Sequence, residues 1–133
     1  MAVATRKGSL PMRNMHTANA LEINLRERDG ATLVLLRGRL NIDSSPGLRD
    51  RLLDILRRRA SEAVIVDLAD VSYIDASGMA TLVEGLKIAR NRQGTLCLQG
   101  LQDRVLQLFE LTGLLDLFEN NGCKNAFNSP GRS

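Results

Sequence analysis

AVIVDLADVSYIDASGMATLVEGLKIARNRQGTLCLQ, residues 63–99, decides the fold. Ala63 to Leu68 is a short apolar run rich in β-branched residues, the pattern of a buried central strand. A loop through Tyr73-Ile74-Asp75 leads into a helix from about Ser77 to Arg92, Gly94 breaks that helix, and Thr95 to Leu98 forms another buried strand. At 100° per residue, Met79, Leu82, Val83, Leu86 and Ala89 share a sector of about 120°, the core face. On the opposite side, Ser77, Thr81, Glu84 and Ile88 lie within about 60° of one another. A hydroxyl at the first helical turn thus stands in line with a stripe that the sequence predicts to be exposed and to face a partner.

Upstream, Leu21, Ile23 and Leu25 alternate with Glu22, Asn24 and Arg26, the two-residue period of a strand with one buried face. Asp29-Gly30 then signals a hairpin turn, and a second strand returns from Ala31 to Arg39. Asp43, Ser44 and Ser45 precede Pro46 as an N-cap cluster for a helix over 46–59 that turns Leu48, Leu52, Ile55 and Leu56 inward. Its closing Arg57-Arg58-Arg59 opposes the negative end of the helix dipole. Downstream, a third helix spans Asp103 to Leu111, Gly113 stops it, and Leu114 to Glu119 is read as a short last strand. The order ββαβαβαβ predicts an α/β fold with a sheet of about five strands and helices on at least one face. Residues 20–120 form the one domain, with a disordered basic leader at 1–19 and a short tail at 121–133.

Composition removes whole function classes. The 133 residues carry 18 Lys+Arg against 15 Asp+Glu, net +3, which taken alone points to nucleic acid. The leader holds Arg6, Lys7 and Arg13 without an acid, and Arg132 sits at the other end, so the body has 14 basic and 15 acidic groups. That body is slightly acidic, and with four aromatics and no Trp it offers no base-stacking platform. His16, the only histidine, lies in the leader, so Ser77 has no evident base and hydrolytic catalysis is not expected. Cys97 and Cys123 stand apart without a CxxC and read as reduced thiols, and neither a metal nor a cofactor is expected. No apolar run approaches 18 residues, so no membrane span is expected, and the chain reads as cytoplasmic.

Ser77 carries two readings from its position. It is a favoured N-cap residue, able to bond an orphan backbone N–H. It is also a hydroxyl at a helix start, where free N–H groups and the positive dipole end favour added phosphate, while Asp75, two residues before it, and Asp43, in the loop before the first helix, are expected to repel it.

Gly38-Arg39-Leu40-Asn41, Val64-Ile65-Val66-Asp67-Leu68, Tyr73-Ile74-Asp75-Ala76-Ser77-Gly78-Met79 and Phe109-Glu110-Leu111-Thr112-Gly113-Leu114 together resemble the STAS family, in particular bacterial anti-sigma factor antagonists. The likeness runs from about Leu21 to Glu119. It implies the STAS fold, with a central mixed sheet, and a non-enzymatic switch. In that family the unphosphorylated antagonist binds an anti-sigma factor that is itself a serine kinase and so releases a sigma factor. The kinase phosphorylates the serine before the glycine of the D-x-S-G block, here Ser77, and a PP2C-type phosphatase resets it. Asp75 matches the acidic residue of that block. Asn41 stands where the family's loop usually carries an acid, with Asp43 two positions later. The implied partner surface comprises Asn41, Asp43 and Ser44 with Asp75, Ala76, Ser77 and Gly78, continued along the helix by Thr81, Glu84 and Ile88. The alternative is a STAS scaffold or regulatory subunit of a transport ATPase or stress-signalling complex without obligatory phosphorylation, in which Ser77 is only a cap. Oligomeric state is not legible.

Overall fold

Asp29 (φ 23°) and Gly30 (φ 83°) turn the chain between β1 (Leu21–Arg28) and β2 (Ala31–Leu40), which pair antiparallel as the hairpin signal predicts. The structure, a computed structural model, describes residues 21–58 and 63–121, so the expected leader at 1–19 and all but the first residue of the expected tail lie outside the described residues. After α1 (Ser45–Arg58) the chain enters β3 (Ala63–Ile74), parallel to β2. Helix α2 (Ala76–Asn91) leads to β4 (Thr95–Gln99), parallel to β3, and α3 (Asp103–Leu111) and α4 (Leu114–Asn120) close the order. The result is a mixed sheet of four strands in the order β1-β2-β3-β4 with four helices among the described residues.

Burial follows the sheet register. Val34 pairs with Val66 and Val66 with Leu98, so one row of fully buried side chains crosses three strands. Leu48, Leu52, Ile55 and Leu56 of α1 and Leu82, Leu86 and Ala89 of α2 pack into the same cluster. Burying side chains of this size supplies about 1.5–3 kcal/mol each relative to exposure, the main force holding helices to sheet.

Three sequence expectations change. Leu114–Glu119 is helical, not a strand: Leu114, Leu117 and Phe118 recur at helical spacing, and Phe118 is buried with its ring centroid 6.4 Å from that of Phe109. That removes the fifth strand. The strand beginning at Ala63 does not stop at Leu68 but runs to Ile74, because β2 accompanies it through two register shifts to the pairs Arg39↔Tyr73 and Leu40↔Ile74. Cys97 is disulfide-bonded rather than a reduced thiol, since isolated spacing in sequence carries no information about distance in space; Cys123 lies outside the described residues.

Candidate functional site

The end of β3 and the start of α2 meet the end of β2 around a single carboxylate. Asp75 is extended (φ −121°, ψ −173°) and is the N-cap of α2: the Gly78 N–H donates to its Oδ1 at 3.1 Å. Its Oδ2 accepts the Ile42 N–H at 3.2 Å, and its own N–H donates to the Leu40 carbonyl at 3.2 Å. The cap role read for Ser77 therefore belongs to Asp75, two residues earlier. A short carboxylate at the last extended position reaches the free N–H groups, whereas Ser77 is already the second helical residue. Gly78 is required by proximity: a Cβ there would stand 2.6 Å from Leu40 Cγ and 2.9 Å from the Leu40 carbonyl oxygen.

Ser77 is half-buried, its carbonyl accepts the Thr81 hydroxyl at 3.0 Å, and its own hydroxyl makes no hydrogen bond to a described residue. Ala76 beside it is exposed. The site thus presents an uncommitted hydroxyl at the positive end of a 16-residue helix, beside a carboxylate already occupied on both oxygens. A phosphate placed there would meet helix-end N–H groups and the repulsion of Asp75 together.

Facing it is the loop over 41–44, shaped by Asn41. Its Oδ1 accepts the N–H groups of Asp43 and Ser44 at 3.0 and 3.1 Å, the turn-forming habit of asparagine. Ser44 Oγ accepts the Asn41 N–H at 3.0 Å and donates to the Arg39 carbonyl at 2.8 Å, while Ser45 Oγ donates to the Asn41 carbonyl at 2.6 Å. The cluster expected to cap α1 forward thus bonds backward through its serine hydroxyls, fixing the loop instead. Asp43 is exposed. Ile42, which the sequence reading passed over, is held out of the core at 70% exposure by its bond to Asp75. The available signal was a lone apolar residue between two turn-forming polar ones.

The stripe along α2 does not continue this surface. Thr81 is only 7% exposed, Ile88 packs half-buried against the core, and Glu84 grips Arg49 of α1 with both oxygens at 2.9 Å. The expectation of an exposed stripe fails because α1 lies across that side of α2: Leu52, Leu53 and Leu56 face Thr81, Glu84 and Ile88 across a shared crevice. The hydrogen bond from Arg49 holds the Glu84 carboxyl below its ordinary range, and the same bond raises the Arg49 guanidinium. Asn41, Asp43, Ser44, Asp75, Ala76, Ser77 and Gly78 converge at one end of the sheet, and Thr81, Glu84 and Ile88 recede into the α1–α2 contact. Among the described residues no group of three or more His, Cys, Asp or Glu side chains is placed to hold a metal ion, and no helix is long and apolar enough to cross a membrane.

Residues 22–129 match the family described as STAS domain. The chain is 31% identical over 109 residues to the anti-sigma-B factor antagonist of Listeria monocytogenes, covering 81% of this chain and 95% of the relative. In three dimensions it is similar to an anti-sigma factor antagonist from Mycobacterium paratuberculosis, with a TM-score of 0.71 at 17% identity over 85% of this chain and 90% of the other. It is also similar to the phosphorylated form of the Bacillus cell fate determinant SpoIIAA, with a TM-score of 0.59 at 17% identity over 71% of this chain and 86% of that one.

Proposed function

Because this chain belongs to the STAS family, we propose that it is an anti-sigma factor antagonist switched at Ser77. Unphosphorylated, it binds an anti-sigma factor serine kinase and releases a sigma factor; phosphorylated on Ser77, it lets the kinase go, and a PP2C-type phosphatase restores it. It performs no catalysis of its own and needs no metal or cofactor. It acts in the cytoplasm, where reducing conditions are expected to open the bond at Cys97.

The observation that carries this reading is the division of labour at the start of α2. Asp75 takes the cap, which leaves the Ser77 hydroxyl without a described structural partner on the face that also displays Asn41, Ile42 and Asp43. Phosphate there adds about −1.5 to −2 charge to a surface already carrying two carboxylates. A tenfold loss of affinity needs only about 1.4 kcal/mol of differential binding, within the range of a like-charge clash at an interface.

The test uses an anti-sigma factor serine kinase from the same organism. Incubated with ATP and this protein, such a kinase is expected to label Ser77. Ser77→Asp is expected to weaken the complex at least tenfold, and Ser77→Ala to preserve it. Labelling of another residue, or equal affinities of the two variants, overturns the proposal.

A further inference from the structure

β3 is 12 residues long and β4 only five. β4 pairs with β3 from Ala63 to Asp67, while β2 stays beside β3 as far as Ile74. From 70 to 74, one edge of β3 therefore has no strand beside it among the described residues. Helix α3 stands off that edge and leaves a cleft of about 430 Å³. Ser72, Tyr73 and Ile74 line it from the strand, and Arg104, Leu108 and Leu111 from the helix. Leu111 is 83% exposed and Tyr73 40% exposed, so the rim carries apolar surface beside the exposed Ser72, Arg104 and Gln107. Arg104 is the one charged side chain in the lining; the Arg39 guanidinium, 4.2 Å from the centre of the Tyr73 ring, does not line the cleft. Asp103 and Glu110 of α3 are exposed and do not line the cleft.

We propose that this cleft docks an extended segment of a partner protein, added as a strand to the 70–74 edge of β3. An apolar side chain of that segment enters between Ile74, Leu108 and Leu111, and a neighbouring carboxylate meets Arg104. An unpaired strand edge is a template for main-chain hydrogen bonds, which give affinity to an incoming strand while alternate side chains give specificity. The strand edge favours a strand over a helix. Five residues of strand span about 16 Å along it, and an incoming strand can pair with the main-chain groups of that edge, whereas a helix has its own main-chain groups already bonded internally. The charge of Arg104 favours an acidic segment over a basic one, and Ser77 is not among the residues that line the cleft.

The probe is a fluorescent synthetic hexapeptide in which glutamate or threonine alternates with valine, titrated into the isotope-labelled full chain. Saturable amide shifts are expected at 70–74 and 104–111. N-methylation of the central valine, which removes one main-chain donor, is expected to weaken binding at least tenfold, as is Arg104→Glu, an exposed position whose fold is checked by its unchanged spectrum elsewhere. Replacing the glutamates by lysine is expected to abolish saturation. The proposal is overturned if no saturation occurs up to about 2 mM, a standard binding free energy near −4 kcal/mol. It is also overturned if the N-methylated peptide binds as well as the parent, or if the same residues shift with protein concentration alone, the signature of a second copy occupying the cleft.

Discussion

The two halves of β3 have opposite surroundings. From Ala63 to Asp67 the strand has a neighbour on each side, Val64 and Val66 are fully buried, and α1 and α2 complete the core. Beyond Asp67 the only strand paired with it among the described residues is β2. The boundary is set by Asp67, whose carboxylate accepts from the Ala69 N–H and the Gln99 side-chain amide, both at 2.9 Å. There Gly100, at φ 75°, turns β4 away; a Cβ on it would stand 2.7 Å from Asp67 Oδ1. Both halves feed the core, the second through Leu68, Val71 and Ile74. Only the second lacks a strand on one side among the described residues, and the Asp75 clip, the Ser77 hydroxyl and the cleft beside α3 all lie at or past its end.

The contrast can be broken by mutation. Leu98→Ala, opposite Val66 in the fully flanked half, is expected to cost about 3 kcal/mol, within the 2–5 typical of a buried leucine, as read by urea unfolding. A cost under about 1 kcal/mol would mean that this half is no more tightly packed than the other. Gly78→Ala forces a methyl group against Leu40, and overpacking of that kind costs about 1–3 kcal/mol, against which the helix propensity of alanine returns up to about 1. A net destabilisation in the same assay is expected, and a stabilised variant would show that the end of β2 yields easily. Asp75→Ala removes the cap of α2 and is expected to cost about 1 kcal/mol while accelerating hydrogen exchange at the Ile42 and Gly78 amides. Unchanged exchange at Ile42 would show that the loop holds its shape without the carboxylate.

These expectations separate what was legible in the chain from what was not. Periodicity exposed β1, β2, α1, α2, β4 and α3, because each is long enough or capped clearly enough for its period to show. Leu114–Asn120 is seven residues long, and a run of that length with four apolar members fits either period until Phe109 is known to lie across from Phe118. The wheel placed Thr81, Glu84 and Ile88 correctly in angle relative to one another. It could not show that α1 occupies that angle, since an angle on one helix holds no information about its neighbours. The hydroxyl at 77 and the carboxylate at 75 were both visible as helix-start residues; which of them caps depends on a backbone angle.

Smaller effects sharpen the picture at the surface. Glu84→Gln should lower stability slightly at pH 7, since an exposed ion pair contributes little. The folded-state carboxyl is depressed, so the stabilisation by the pair is whole above the ordinary glutamate value near ~4.3 and is lost as pH falls through the lower folded value. The urea midpoints of wild type and variant are therefore expected to converge in acid; divergence would show that Glu84 acts through packing rather than charge. The smallest effect is expected at Leu111→Ser, within about 0.5 kcal/mol of wild type, because the side chain stands in solvent at the rim of the cleft. A loss above about 1 kcal/mol would place Leu111 in the core and close the contrast from the other side.

The bond from the Ile42 N–H to Asp75 joins residues 33 apart in sequence, yet in entropic terms it is a short-range contact. The pairing of Leu40 with Ile74 already closes that loop of chain, so the added constraint falls on only one or two residues at each end. Making or breaking it shifts little of the chain entropy on which the fold rests. A surface held in this way can be rearranged by an event at Asp75 while the sheet beneath it stays in register.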